Sequence, residues 1–161
     1  MQIRLVCIGN LKEKFWQSAT EEYKKRLQKF CNLQIIELDE QNKYQDVNKI
    51  LSEEGKSIIA NLGGYNILLD IEGKAFSSED LANKIKQTLL SSSTITFIIG
   101  GSYGVSDEVK RSVQERISFG RITMPHNLAR VVALEQFYRA FMINSGAKYL
   151  SLIHISEPTR H

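Results

Sequence analysis

Strand-like and helix-like segments alternate five times along this chain, and this alternation restricts its possible folds more than any other feature. Short apolar runs rich in β-branched residues predict strands, whereas apolar residues spaced three and four apart predict helices. The predicted strands are residues 3–9, 33–38, 65–71, 94–99 and 117–122. The predicted helices are residues 15–30, 46–62, 77–90, 107–116 and 127–145. The pattern predicts an α/β fold in which a mostly parallel sheet carries helices on both faces.

Local signals mark several boundaries between these elements. Glu72-Gly73-Lys74 predicts a turn after the third strand, and Ser77, with Asp80 three residues later, predicts a helix start stabilised by a capping box. Ser106 is the predicted N-cap of the fourth helix. The fourth strand is almost entirely apolar, which is typical of a strand buried on both faces.

The glycine loop that follows the fourth strand is the first candidate for a functional site. Gly100-Gly101-Ser102-Tyr103-Gly104 comes directly after the apolar run TITFII. Open α/β sheets bind ligands at the carboxyl ends of their strands, although a plain tight turn explains the motif equally well. The loop has neither the spacing of a dinucleotide fingerprint nor the lysine of a phosphate-binding loop, and it follows a late strand. A dinucleotide enzyme and an NTPase are therefore not expected.

Composition narrows the class of protein further. The 161 residues are 42% hydrophobic and 24% charged with a net charge of +3, which indicates a compact fold that tolerates an anionic partner without demanding one. No apolar run approaches the ~18 residues of a membrane span. Cys7 and Cys31 have no metal-binding or redox spacing, which is typical of free thiols in a reducing compartment. We expect a cytoplasmic protein.

The last twelve residues do not fit the pattern of the preceding chain. The string LSLIHISEPTR resembles the in-frame translation of a sequencing adapter, so residues 150–161 are expected to be a non-native tail and residues 1–149 a single domain. Without the tail, His126 is the one remaining histidine. No metal site is therefore expected.

Charged residues on and before the last predicted helix are candidates for catalysis. His126 follows Pro125 in a loop, but a lone histidine is more often a structural or capping residue. Glu135 and Arg139 are four residues apart and can pair on one helix face, as in many ordinary helices. Spacing alone leaves both interpretations open.

Four motifs together resemble one known family. GNLKEKFW, LDIEGKAFSSEDLA, FIIGGSYGVSDEV and ITMPHNLARVVALEQFYRAF resemble, in order and spacing, the ribosomal RNA large subunit methyltransferase H family of the SPOUT class, over residues 1–149. The resemblance implies a homodimer with a deep trefoil knot that holds S-adenosylmethionine. It also implies methyl transfer to N3 of a pseudouridine in 23S rRNA within the ribosome, without a metal or a membrane.

The resemblance also implies roles for individual residues. The implied cofactor-binding residues are Leu69, Gly100, Phe119, Gly120, Arg121, Ile122, Thr123 and Met124. His126 or Glu135 is the candidate base for the pseudouridine N3. Arg130 and Arg139 are candidates for holding RNA phosphate or for stabilising the imide anion.

The sequence departs from the family pattern at two places, and two other functions remain as alternatives. Many relatives have lysine where Asn10 stands, and relatives end in Tyr-His followed by a basic residue, whereas Tyr149 here runs into Leu150. The chain is therefore expected to bind cofactor and to methylate poorly. The other functions are a flavodoxin-like nucleotide-binding module and a non-catalytic ribosome-binding dimer.

Overall fold

The computed structural model describes residues 1–146, which form ten alternating elements. The strands are β1 (Gln2–Ile8), β2 (Asn32–Leu38), β3 (Tyr65–Ala75), β4 (Thr94–Ile99) and β5 (Glu115–Ser118). The helices are α1 (Lys14–Leu27), α2 (Val47–Ala60), α3 (Ser78–Ser91), α4 (Asp107–Ser112) and α5 (His126–Asn144). The predicted alternation is confirmed. The expected non-native tail and the junction between Tyr149 and Leu150 lie outside the described residues.

The five strands form one sheet in the order β2-β1-β4-β3-β5. Each strand pair in the described part of the chain is parallel, as the alternating pattern predicts. Strand β4 lies at the centre, and its last five residues are buried. Its bounds agree with the prediction, because burial on both faces gives a strand its continuous apolar signal.

Helices cover both faces of the sheet, as predicted. On one face, α5 lies between α1 and α3, and Phe137 packs on Phe97 of β4 with their ring centroids 4.3 Å apart. On the other face, Ile58 of α2 and Val109 of α4 pack against β1, β3 and β4. Successive side chains of β1 pack alternately into the hydrophobic clusters on the two faces of the sheet, since neighbouring side chains in a strand point to opposite faces.

The turn predicted at Glu72-Gly73-Lys74 is wrong, because β3 continues through these residues to Ala75. β3 pairs with β5 up to Leu69 and again from Lys74, with a bulge between these positions. A Cβ atom on Gly73 would lie 2.7 Å from the backbone carbon of Arg116. The glycine therefore permits the close approach of β3 and β5. Glycine is favoured both in turns and at such close approaches, so the sequence of β3 alone does not distinguish the two.

The chain after Ser106 also differs from the prediction. Helix α4 ends at Ser112, before the predicted end at residue 116, and β5 begins at Glu115 because its pairing with β3 sets the register. Residues 119–125 then form a loop, of which residues 119–122 were predicted to be strand. The predicted capping box of Ser77 and Asp80 and the Ser106 cap are confirmed. In residues 1–146, no helix has both the length and the apolar character needed to cross a membrane.

Candidate functional site

The cavity with the most apolar lining among those in residues 1–146 lies at the carboxyl ends of β3, β4 and β5. Its volume is about 590 Å³, within the range of roughly 300–1,000 Å³ typical of small-molecule sites. We call it the main cavity. Its walls are the ends of β3 and β4, the glycine loop with Val105, residues 117–120, residues 122–125 and the start of α5. Open α/β sheets bind ligands at this edge of the sheet.

Two loops form most of the cavity wall. The glycine loop is closed by a hydrogen bond from the Gly104 N–H to the Gly101 carbonyl at 3.0 Å. In the second loop, the Ser118 hydroxyl donates to the Gly120 carbonyl at 2.8 Å and accepts from the Gly120 N–H at 3.1 Å. These bonds fix two backbone segments that face the cavity, and a fixed polar backbone beside apolar side chains suits an organic ligand with polar groups.

Gly100 occupies the tightest position of the glycine loop. A Cβ atom at this position would lie 2.8 Å from the Gly104 carbonyl oxygen and 2.7 Å from Cγ1 of Val105. Such contacts would force the loop to shift. The glycine therefore permits the close approach of the loop to itself, as a tight turn requires.

An ion pair between β3 and β5 lies at the wall of the main cavity. Arg116 donates to Asp70 Oδ2 from Nη2 at 2.6 Å and from Nε at 3.0 Å. Burial raises the pKa of the Asp70 carboxyl, but hydrogen bonds from the Glu72 N–H and from Arg116 outweigh burial and hold the pKa below its usual value. The cavity therefore has a carboxylate at its wall near neutral pH.

His126 is the first residue of α5 and lines the main cavity. Its Nε2 lies 4.0 Å from Oε1 of Glu40, a residue that follows β2. This distance exceeds that of a hydrogen bond, yet it places a carboxylate beside the imidazole. Of the four predicted catalytic residues, His126 is the one that the structure brings to the cavity.

Arg130 does not line the main cavity. Its side chain is only 2% exposed; one guanidinium nitrogen donates to Glu37, and another donates to the Gly9 carbonyl at 3.1 Å. These partners are at the ends of β2 and β1. Arg130 therefore ties α5 to the sheet, and this position does not present its guanidinium to an RNA phosphate.

Glu135 and Arg139 form the predicted pair on α5, with Arg139 Nε 3.0 Å from Glu135 Oε1. Both side chains are mostly buried and do not line the main cavity. Burial raises the pKa of Tyr23 on α1, and the nearby Glu135 carboxylate adds to this effect. The pair therefore lies on the side of α5 that faces α1.

Most of the predicted cofactor-binding residues meet in the main cavity, although they come from three separate parts of the chain. The lining residues among them are Leu69, Gly100, Phe119, Gly120, Ile122, Thr123 and Met124. Arg121 is exposed and does not line the cavity.

The sequence interpretation missed Asp70 and Lys110, which also line the main cavity. Asp70 could have been found as the polar residue that ends an apolar run, whereas Lys110 carried no signal beyond helix periodicity. No group of three or more side chains suited to hold a metal ion occurs in the part of the chain that the structure describes.

Comparison with known proteins gives matches over most of the chain. A family model described as "Predicted SPOUT methyltransferase" matches residues 1–150. Proteins named "Ribosomal RNA large subunit methyltransferase H" are similar: that of Leuconostoc mesenteroides is 43% identical, and that of Streptococcus thermophilus is 46% identical. Each alignment covers 92% of this chain and 99% of the relative.

Two solved structures share the fold at low sequence identity. A "probable methylase family protein" from Haemophilus influenzae has a TM-score of 0.53 at 14% identity, covering 91% of this chain and 69% of that chain. The tRNA (m1G37) methyltransferase from Aquifex aeolicus has a TM-score of 0.50 at 18% identity, covering 84% and 70%. At such identity the likeness concerns the fold alone.

Proposed function

Because the chain belongs to the ribosomal RNA large subunit methyltransferase H family of SPOUT methyltransferases, we propose that it transfers a methyl group from S-adenosylmethionine to N3 of a pseudouridine in 23S rRNA. The observation that carries the proposal is the family match, supported by a cavity lined by seven of the residues named from the family motifs. We further propose that it acts in the cytoplasm as a homodimer on the ribosome, with the knot of its class.

The main cavity fits S-adenosylmethionine in volume and in chemistry. Leu69, Phe119 and Met124 offer apolar surface for an adenine ring, while the two fixed loops offer backbone groups for its polar edge. When bound, S-adenosylmethionine supplies a methyl group that its sulfonium sulfur has already activated. The chain's main task is then to align donor and acceptor, which can supply roughly 7–11 kcal/mol.

His126 is the residue that we propose as the base for the N3 proton. It lines the main cavity, and its Nε2 lies 4.0 Å from Oε1 of Glu40. Since Glu135 and Arg139 lie away from the cavity, we propose that they hold α5 against α1. Arg121, exposed beside the cavity, is the better placed arginine for an RNA phosphate.

Replacing His126 with alanine should lower the single-turnover methylation rate by about 10²-fold, the lower range for loss of a general base. S-adenosylmethionine affinity should change little, because apolar side chains and backbone groups form most of the cavity wall. Rapid-quench assays with saturating cofactor measure the rate, and calorimetry measures the affinity. Glu135→Gln, made in parallel, tests the other candidate base, and an unchanged rate for His126→Ala would remove His126 from this role.

The proposed reaction is tested with labelled S-adenosylmethionine and ribosomes that lack the modification. We expect label in 23S rRNA, mapped by nuclease digestion and mass spectrometry to N3 of one pseudouridine, and less label in protein-free rRNA. Ribosome binding that needs no cofactor, without methyl incorporation, would instead support the non-catalytic dimer. Label on another base or another RNA would contradict the proposed substrate.

A further inference from the structure

A second cavity lies beside the main cavity at the carboxyl ends of β1 and β2. Its volume is about 580 Å³, and it is lined by Gly9, Asn10 and Lys12 on one side and by residues 37–43 on the other. We call it the side cavity. The family motifs assign it no ligand.

His126 and Glu40 stand at the boundary between the two cavities. His126 lines the main cavity, Glu40 lines the side cavity, and their closest side-chain atoms are 4.0 Å apart. A molecule in the side cavity would therefore lie next to the proposed base. RNA whose target base reaches His126 can therefore extend into the side cavity.

The chain segment that follows Lys12 of the side-cavity lining carries an exposed aromatic ring and cations, and we call residues 12–15 the Phe15 rim. Phe15 is 63% exposed, and its ring centroid lies 4.9 Å from that of Trp16. Lys12 and Lys14 precede it in the chain, and neither forms an ion pair within residues 1–146. An exposed phenyl ring beside cations is the arrangement with which proteins bind single-stranded nucleic acid, by base stacking and phosphate contact.

The polar groups of the side cavity suit the edge of a base better than a simple anion. Asp39 and Glu40 can accept hydrogen bonds from base N–H groups, and the Asn42 amide can both donate and accept. Glu37 is already occupied by Arg130. A free phosphate or sulfate would be repelled by these carboxylates, whereas a nucleotide presents its phosphate to the lysines and its base to the acceptors.

We propose that the side cavity and its Phe15 rim bind single-stranded RNA adjoining the target nucleotide. Phe15 stacks on one base, Lys12 and Lys14 contact phosphates, and the cavity receives the edge of a neighbouring base. This inference rests on the proposed function, because it assigns the RNA path of the same active site.

The test measures binding of a fluorescein-labelled single-stranded oligouridylate by anisotropy over a range of salt concentrations. Phe15→Ala should weaken binding about tenfold, because a stacked base loses its partner. Phe15→Tyr should bind like the parent chain and Phe15→Leu like Phe15→Ala, since stacking needs a ring. Lys12→Gln with Lys14→Gln should reduce the slope of log affinity against log salt by about 0.7 for each lysine.

The chain near the end of α1 provides the matched control. Lys25 lies in the last turn of α1 and Lys29 follows the helix, and both are exposed, so Lys25→Gln with Lys29→Gln removes the same charge away from the rim. This control should keep the salt slope of the parent chain. Equal losses in the two double variants would show that only net charge matters and would overturn the proposal.

Two further outcomes would also overturn it. One is unchanged oligouridylate binding by Phe15→Ala, and the other is a loss of binding accompanied by dissociation of a dimer in sedimentation, which would make the rim a contact between copies. Methyl incorporation by the parent chain is measured in parallel. If the parent chain methylates ribosomes while the rim variants bind normally, this inference fails and the proposed function stands. If the parent chain incorporates no methyl group, the proposed function fails and the anisotropy still decides the inference.

Discussion

Replacing Arg130 with alanine should lower the free energy of unfolding by about 3 kcal/mol. The side chain is among the largest fully buried ones, so its truncation leaves a void. It also leaves the Gly9 carbonyl and the Glu37 carboxylate without their donor. Because Glu37 is partly exposed and regains water, we expect a loss at the lower end of the range for broken buried pairs. Urea unfolding followed by circular dichroism measures it.

Two variants separate the parts of this loss. Arg130→Met fills most of the void but donates no hydrogen bond, so it should lose less than Arg130→Ala. Glu37→Gln keeps an acceptor for Arg130 at a half-exposed position and should lose least. If Arg130→Ala unfolds within ~0.5 kcal/mol of the parent chain, as ordinary surface substitutions do, Arg130 does not hold α5 to the sheet.

Replacing Gly100 with alanine should weaken S-adenosylmethionine binding by about tenfold, equivalent to ~1.4 kcal/mol, and valine should weaken it further. The added Cβ would lie 2.8 Å from the Gly104 carbonyl oxygen, so the loop has to move and its cavity-facing groups move with it. Since the shift is confined to the glycine loop, the free energy of unfolding should fall much less than the free energy of cofactor binding. Calorimetry with S-adenosylmethionine measures the change.

Gly63→Ala is the matched control for this prediction. The residue lies near the opposite edge of the sheet, and its added Cβ would meet only the tip of Arg4 at 3.2 Å. We expect cofactor affinity equal to that of the parent chain. Affinity that is also unchanged in Gly100→Ala would mean that the glycine loop does not shape the cofactor site.

The sequence alone was sufficient for features that depend on neighbours along the chain. The continuous apolar run 94–99 predicted the buried central strand, and the Ser77 and Asp80 pair predicted the start of α3, because each signal is local. The four family motifs also named Gly100 and most of the loop 119–124, since short stretches of sequence carry them. The position of the glycine loop at the carboxyl edge followed from the strand that precedes it.

Tertiary structure decided the features that depend on contacts between segments distant in the chain. The bulge at Gly73 is defined by the pairing of β3 with β5 on both sides of it, and Arg130 is buried where α5 packs on the ends of β1 and β2, against Gly9 and Glu37. The approach of Glu40 to His126 likewise needs β2 and α5 to pack into one fold. Periodicity predicts which face of a segment is buried, but it does not predict which other segment packs against that face. The sequence therefore determined the elements and the family, whereas packing between distant segments decided which polar groups meet at the site.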